Sequence, residues 1–195
     1  MKGTVAIVGR PNVGKSTLFN RLLGRRKAIV DDMSGVTRDR QYDFADWNGK
    51  EFMIIDTGGY VDRSEDIFQQ EIKKQVDFAI NEAHLILFLV DNKTGVTELD
   101  EAFAKYLRKS AKKVLVVANK ADNFTQVNDS YEFYKLGFDE LFPISSINGS
   151  GTGEFLDRVV ELLEQEIENE GPGIFKTDIP KISIVGRPNV GKSTF

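Results

Sequence analysis

Short apolar runs, separated by polar stretches that carry glycine, set the rhythm of this chain. Residues 5–8, 52–55, 85–90 and 114–118 are continuous apolar runs rich in β-branched side chains. They are too short for buried helices and read as parallel strands covered on both faces. Residues 42–47 and 51–56 flank Asn48-Gly49, a strong hairpin turn signal, so these two strands are predicted to be antiparallel. Residues 17–23 continue from the first strand as a helix. Residues 154–168 place Phe155, Val159, Leu162 and Leu163 on one helical face, with charged residues around the rest. A further strand is expected at 140–144. The predicted order is strand, helix, strand, strand, helix, strand, helix, strand, helix, strand, helix. That order makes an α/β three-layer sandwich with right-handed crossovers and a mostly parallel sheet with one antiparallel strand. Gly171-Pro172-Gly173 stops the last helix. The domain is expected to span 1–169, with a linker at 170–179 and a second unit beginning at 180–195.

The second unit is expected because the chain repeats itself. Residues 7–17 and 184–194 both read I-V-G-R-P-N-V-G-K-S-T. Each copy contains G-x-x-x-x-G-K-S, a loop whose backbone N–H groups cradle phosphates. In the first copy the candidate ligand contacts are Gly9, Arg10, Pro11, Asn12, Val13, Gly14, Lys15, Ser16 and Thr17. The glycines let the backbone turn its donors inward, and the following helix points its positive end at the anion. Lys15, expected to be partly solvent-facing, would reach the outer phosphates, and the Ser16 hydroxyl would meet magnesium. The second copy has neither a second D-x-x-G nor a second N-K-x-D after it. It is expected to be silent, with one nucleotide bound per chain.

A phosphate loop alone does not identify the base. Asn119-Lys120-Ala121-Asp122 follows the apolar run 114–118. A carboxylate at Asp122 matches the N1 and 2-amino donors of guanine. Adenine would leave it unpaired, and sites of that kind discriminate by roughly 10⁴-fold or more. Asp56-Thr57-Gly58-Gly59 caps the strand at 52–55. There Asp56 can hold magnesium and the Gly59 N–H can point at the γ-phosphate. Thr37, in Ser34-Gly35-Val36-Thr37-Arg38-Asp39, is the candidate threonine that closes over metal and γ-phosphate. Ser145 and Ser146, at the end of the 140–144 strand, are expected in a loop that contacts the base through its backbone. Metal ligands are thus expected at Ser16, Thr37 and Asp56, and catalytic groups at Lys15, Asn12, Thr37 and Gly59.

These five segments, in this order, resemble the translation-factor-like GTPases, within the Ras-like P-loop NTPase fold. G-R-P-N-V-G-K-S, S-G-V-T-R-D-R, D-T-G-G and the repeated loop are very similar to the bacterial tandem-GTPase family Der, also called EngA. The resemblance implies two GTPase domains and a C-terminal KH-like domain. It also implies GTP and GDP as ligands, magnesium as cofactor, and assembly of the large ribosomal subunit as the setting. It covers residues 1–195 as the first GTPase domain, linker and start of the second. Ser146 stands where related proteins usually carry alanine, a small change where the backbone N–H does the work.

The reaction implied is hydrolysis of GTP to GDP and phosphate by water. After D-T-G-G this chain has Tyr60, where many GTPases place a water-orienting glutamine. Asn12 is the candidate substitute, because the matching asparagine in potassium-activated GTPases coordinates potassium; the alternative is an asparagine serving loop geometry. Arg38 is the next source of positive charge. A binding switch with negligible hydrolysis, and a kinase acting on a small acceptor, are the other classes the motifs admit.

Composition narrows the setting. Zero cysteines exclude disulfides and cysteine-ligated metal, which fits a cytoplasmic protein. No run approaches a membrane span and no signal peptide opens the chain. A net charge of −4 gives little general attraction to nucleic acid. The basic cluster Arg25-Arg26-Lys27 reads as a solvated loop, the acidic run from Glu161 to Glu170 as a solvated helix face. His84 reads as a strand-edge residue and Trp47 as hairpin packing.

Overall fold

The structure, a computed structural model, describes residues 3–24, 41–57 and 65–169. The elements are β1 (Thr4–Val8), α1 (Lys15–Leu23), β2 (Gln41–Trp47), β3 (Lys50–Asp56), α2 (Glu65–Glu82), β4 (Leu85–Asp91), α3 (Glu98–Leu107), β5 (Lys113–Asn119), α4 (Phe124–Asp129), β6 (Leu141–Pro143) and α5 (Thr152–Asn169). A 3₁₀ turn, Ser130–Leu136, extends the short α4. The sheet order is β2-β3-β1-β4-β5-β6, with β2 and β3 antiparallel and all other pairs parallel. This is the expected three-layer architecture. Helix α1 starts two residues earlier than its pattern suggests, and β6 is shorter than its apolar stretch.

Strand alternation divides the core into two layers. Leu85, Leu87 and Leu89 of β4 face Leu18, Phe19, Phe155 and Val159, beneath α1 and α5. Ile86, Phe88 and Val90 face the other way, onto Ile72, Val76, Phe103 and Phe133. Every residue of β4 is buried, which is why its sequence shows no polar alternation.

The hairpin turns at Asn48 and Gly49 with φ of 52° and 75°, the left-handed pair that the two-residue turn requires. It is clipped to α5: Trp47 Nε1 and Asn48 Nδ2 donate to Asp157 Oδ1 at 2.7 and 3.0 Å. Lys50 meets Glu164 at 2.5 Å. His84 opens β4: its N–H donates to the Thr4 carbonyl at 2.9 Å, and its Nδ1 accepts from the Thr4 N–H at 3.0 Å. Among the described residues, no helix is long and apolar enough to cross a membrane.

Candidate functional site

The loop from Gly9 to Gly14 leaves the carboxyl end of β1, at the centre of the sheet. Gly9 has φ of 147°, and a Cβ there would lie 2.3 Å from the Leu89 carbonyl oxygen. Gly14 has φ of 99°, and its Cβ would lie 2.4 Å from Asn119 Nδ2. Both positions therefore need glycine for space as well as for conformation. Between them Asn12 also takes a positive φ, 65°, a region in which asparagine is enriched among residues with side chains.

Lys15 is the first residue of α1, and it is buried rather than solvent-facing. Its Nζ donates to the Gly9 carbonyl at 2.7 Å and the Arg10 carbonyl at 2.9 Å. Desolvation lowers its pKa to about 8; nearby Arg10 adds to the shift and Asp56 opposes it. The ammonium is held at the mouth of a helix N-terminus, where backbone donors and the helix dipole both favour an anion.

Asp56 ends β3, and its Oδ2 accepts from the Ser16 hydroxyl at 2.8 Å. Thr57 Oγ1 donates to the Ile7 carbonyl at 2.6 Å and seals β3 against β1. A hydroxyl and a carboxylate converging beside a helix N-terminus are hard oxygen donors of the kind that suit a divalent cation. Among the described residues no group of three or more acidic, histidine or cysteine side chains forms a closed metal cage. Thr37, Gly59, Tyr60 and Arg38 lie outside the described residues, as do the linker and the second loop copy.

The segment at 119–122 leaves β5 and meets both other parts of the site. Asn119 Nδ2 donates to the Val13 carbonyl at 2.8 Å, and its Oδ1 accepts from the Ser146 N–H at 2.9 Å. Lys120, with φ of 69°, donates from Nζ to the Asn12 carbonyl at 2.8 Å and pairs with Asp91 at 2.5 Å. Asp122 lies at the surface. Its Oδ1 accepts from Ser145 Oγ at 2.7 Å, and Lys93 Nζ lies 2.7 Å from its Oδ2. Lys93 first, and Ser145 second, hold its carboxyl below the usual carboxylate range.

Hydrogen bonds thus tie Ser16 to Asp56, Asn119 to Val13 and Ser146, Lys120 to Asn12, and Asp122 to Ser145, while Lys15 follows the same loop. The structure also recruits residues that sequence reasoning missed. The Arg21 guanidinium, at the end of α1, donates to the carbonyls of Ser146 and Ile147. Gly149 leaves room for it, since a Cβ there would be 2.8 Å from Arg21 Nη1. Lys93 and Asp91 likewise carry no local motif, and the Thr97–Asp100 capping box gives no sign of the contact with Arg10; only three-dimensional contact reveals them.

The chain matches the family described as 50S ribosome-binding GTPase over residues 4–120. It is 56% identical over its full length to GTPase Der of Christiangramia forsetii and 57% identical to GTPase Der of Cytophaga hutchinsonii. In each case it spans 44% of the relative's length. Among solved structures it is similar to Era in complex with MgGDPNP and nucleotides 1506–1542 of 16S ribosomal RNA. That likeness has 27% identity and a TM-score of 0.66, and covers 97% of this chain and 61% of Era. It is also similar to the G domain of the T. maritima FeoB iron transporter, at 28% identity and a TM-score of 0.58, covering 83% of this chain and 99% of that one.

Proposed function

The chain belongs to the 50S ribosome-binding GTPase family, and from that premise we propose that it binds guanine nucleotide with magnesium and hydrolyses GTP to GDP and phosphate. One observation carries the reading. Asn119 joins the loop at Val13 to the loop at Ser146, while the Asp122 carboxylate nearby is about a third exposed, its side chain 32% accessible. A guanine ring there donates N1–H and its amino group to Asp122, and Ser146 lies beside it. The phosphates then lie on the N–H groups of 9–17 and on Lys15.

Ser16 and Asp56, with Thr37, would hold magnesium, which when bound neutralises charge on the outer phosphates. No covalent nucleophile is needed. Water attacks the γ-phosphorus in line, GDP leaves, and the protein contributes position and positive charge. Lys15 supplies a fixed ammonium, and the Gly59 N–H would meet the γ-phosphate. Asn12 would add charge by holding a potassium ion. Its positive φ favours a second role, shaping the loop, so the two are separated by experiment. Phosphate release in matched potassium and sodium buffers, with magnesium, should be faster in potassium. Asn12→Ala should abolish the difference. Equal rates leave loop geometry as the role of Asn12. No turnover in either buffer, with GTP bound, leaves a GTP-dependent binding switch as the function.

The partner proposed is the large ribosomal subunit, in keeping with the family description, and the compartment is the cytoplasm. Neither a membrane role nor strong nucleic-acid binding by residues 1–195 is part of the proposal. The GTPase domain is assigned to 1–169, the linker to 170–179 and the start of a second GTPase domain to 180–195.

A further inference from the structure

We propose that Asp100 is a positioning residue for the phosphate loop, acting through Arg10; this rests on the reading of residues 9–17 as the phosphate cradle. Asp100 lies in the first turn of α3, capped by Thr97. Thr97 N–H and Oγ1 both donate to Asp100 Oδ2, at 3.1 and 2.7 Å, and Thr97 Oγ1 accepts from the Asp100 N–H. A capping box needs no more than that, and such carboxylates serve well at the surface. Asp100 is instead fully buried, and the same Oδ2 takes Arg10 Nε at 3.2 Å from a segment 90 residues upstream. The Arg10 side chain is itself only 12% exposed.

Arg10 meets the phosphate lysine with its own backbone, because the Arg10 carbonyl is one of the two oxygens that receive Lys15 Nζ. Backbone space upstream of it is fixed by Gly9 against Leu89. The Arg10 guanidinium, anchored on α3, fixes where the chain goes next. An anchored arginine on one side and a clamped Val13 carbonyl on the other hold the two ends of the cradle open. Arg10 Nη2 and Asp100 Oδ1 are buried with no hydrogen-bond partner among the described residues. The two charges therefore depend on each other, and removing either strands the other in a low-dielectric site.

The experiment compares Asp100→Asn, Arg10→Met, the double variant and Thr97→Ala, reading GDP affinity by calorimetry and Tm by thermal melt. Asp100→Asn keeps the shape and an acceptor for Thr97 but removes the charge that holds Arg10. It and Arg10→Met should each weaken GDP binding by about tenfold to a hundredfold, the range expected when a positioning group is displaced. The double variant should be no weaker than the single ones, because both act on one contact. Thr97→Ala should lower Tm through the lost cap and leave GDP affinity unchanged. Wild-type affinity in a folded Asp100→Asn overturns the proposal, as do additive losses in the double variant or an equal loss in Thr97→Ala. Should Asp100→Asn fail to fold, Arg10→Lys carries the test by keeping the charge and losing the Nε donor that meets Asp100. Weakened binding in that folded variant supports the proposal, and wild-type affinity overturns it. A wild-type protein that binds no guanine nucleotide overturns the site reading itself, and the positioning role with it.

Discussion

Asn119 and Val13 are 106 residues apart in the chain and share a hydrogen bond of 2.8 Å, from the amide Nδ2 to the backbone carbonyl. The other end of the same amide accepts from the Ser146 N–H. One buried side chain thereby ties the loop after β1 to the loop after β6. Gly14 permits it, since any Cβ there would collide with Nδ2. Asn119→Ala should strand two buried backbone groups, at roughly 1–3 kcal/mol each. For a domain of this size that is a fall in Tm of several degrees, together with weaker GDP binding. A melting curve that overlays the wild type would remove the clamp from the account.

Asp122→Asn should weaken GTP binding and favour xanthosine triphosphate. The asparagine amide donates where the carboxylate accepted, and xanthine carries an oxygen where guanine carries its amino group. Ser145 and Lys93 both contact the carboxylate, so the change is local and the fold should survive it. Competition between the two triphosphates, measured on one preparation, decides the matter. Equal GTP affinity in the variant refutes the base-reading role.

How much of this could be read from the chain differs between fold and site. The central strands were legible because burial on both faces leaves unbroken apolar runs, as in β4. The hairpin was legible because only residues tolerant of positive φ fit its turn, and Asn48-Gly49 supplies both. The backbone donors and their glycines follow from a fixed local spacing. The long-range ties had no local trace. Arg21 reads as an ordinary basic residue in the last turn of a helix, yet it holds the carbonyls of Ser146 and Ile147. Asp100 reads as a helix cap. The place of Lys15 in a loop motif suggests a partly solvent-facing side chain. It is buried because the loop folds its own carbonyls over the ammonium.

Glu140 tests the electrostatics away from the site. Arg158 grips it with a fork at 2.7 and 2.9 Å, and Lys113 adds a contact at 2.8 Å. The Arg158 hydrogen bonds, with a smaller contribution from Lys113 and against the cost of burial, hold its pKa at about 2, below the ordinary 4.5. A depressed carboxylate stabilises the fold above its unfolded pKa and loses that contribution as protons return. The pair's contribution should be complete above pH 4.5 and disappear between about 4.5 and 2. For a pair this near the surface it is worth about 1 kcal/mol or less. Glu140→Gln should melt a few degrees below the wild type at pH 7, with the gap closing near pH 2 to 3. A gap of the same size at both ends of that range would show that the ion pair is not its source.

Lys15→Met should separate stability from binding. The native ammonium is buried, and among the described residues it donates to two loop carbonyls. Removing it from water costs the fold a desolvation penalty that becomes useful only when phosphate arrives. Methionine has a similar length, fills the same space and carries no charge, although it leaves the Gly9 and Arg10 carbonyls without that donor. The relief from desolvation and the lost hydrogen bonds act in opposite directions. Because the charged group is the more expensive one to bury, Tm should stay at or above the wild-type value. Binding should respond quite differently. The phosphates lose the one ammonium aimed at them from within the loop, and GTP affinity should fall by a hundredfold or more, the order expected when a charge-assisted contact in a desolvated site is deleted. Thermal melts without nucleotide and calorimetry with GTP measure the two halves separately. A Tm several degrees below the wild type would make Lys15 a structural residue. GTP affinity close to the wild type would take the lysine out of the phosphate site.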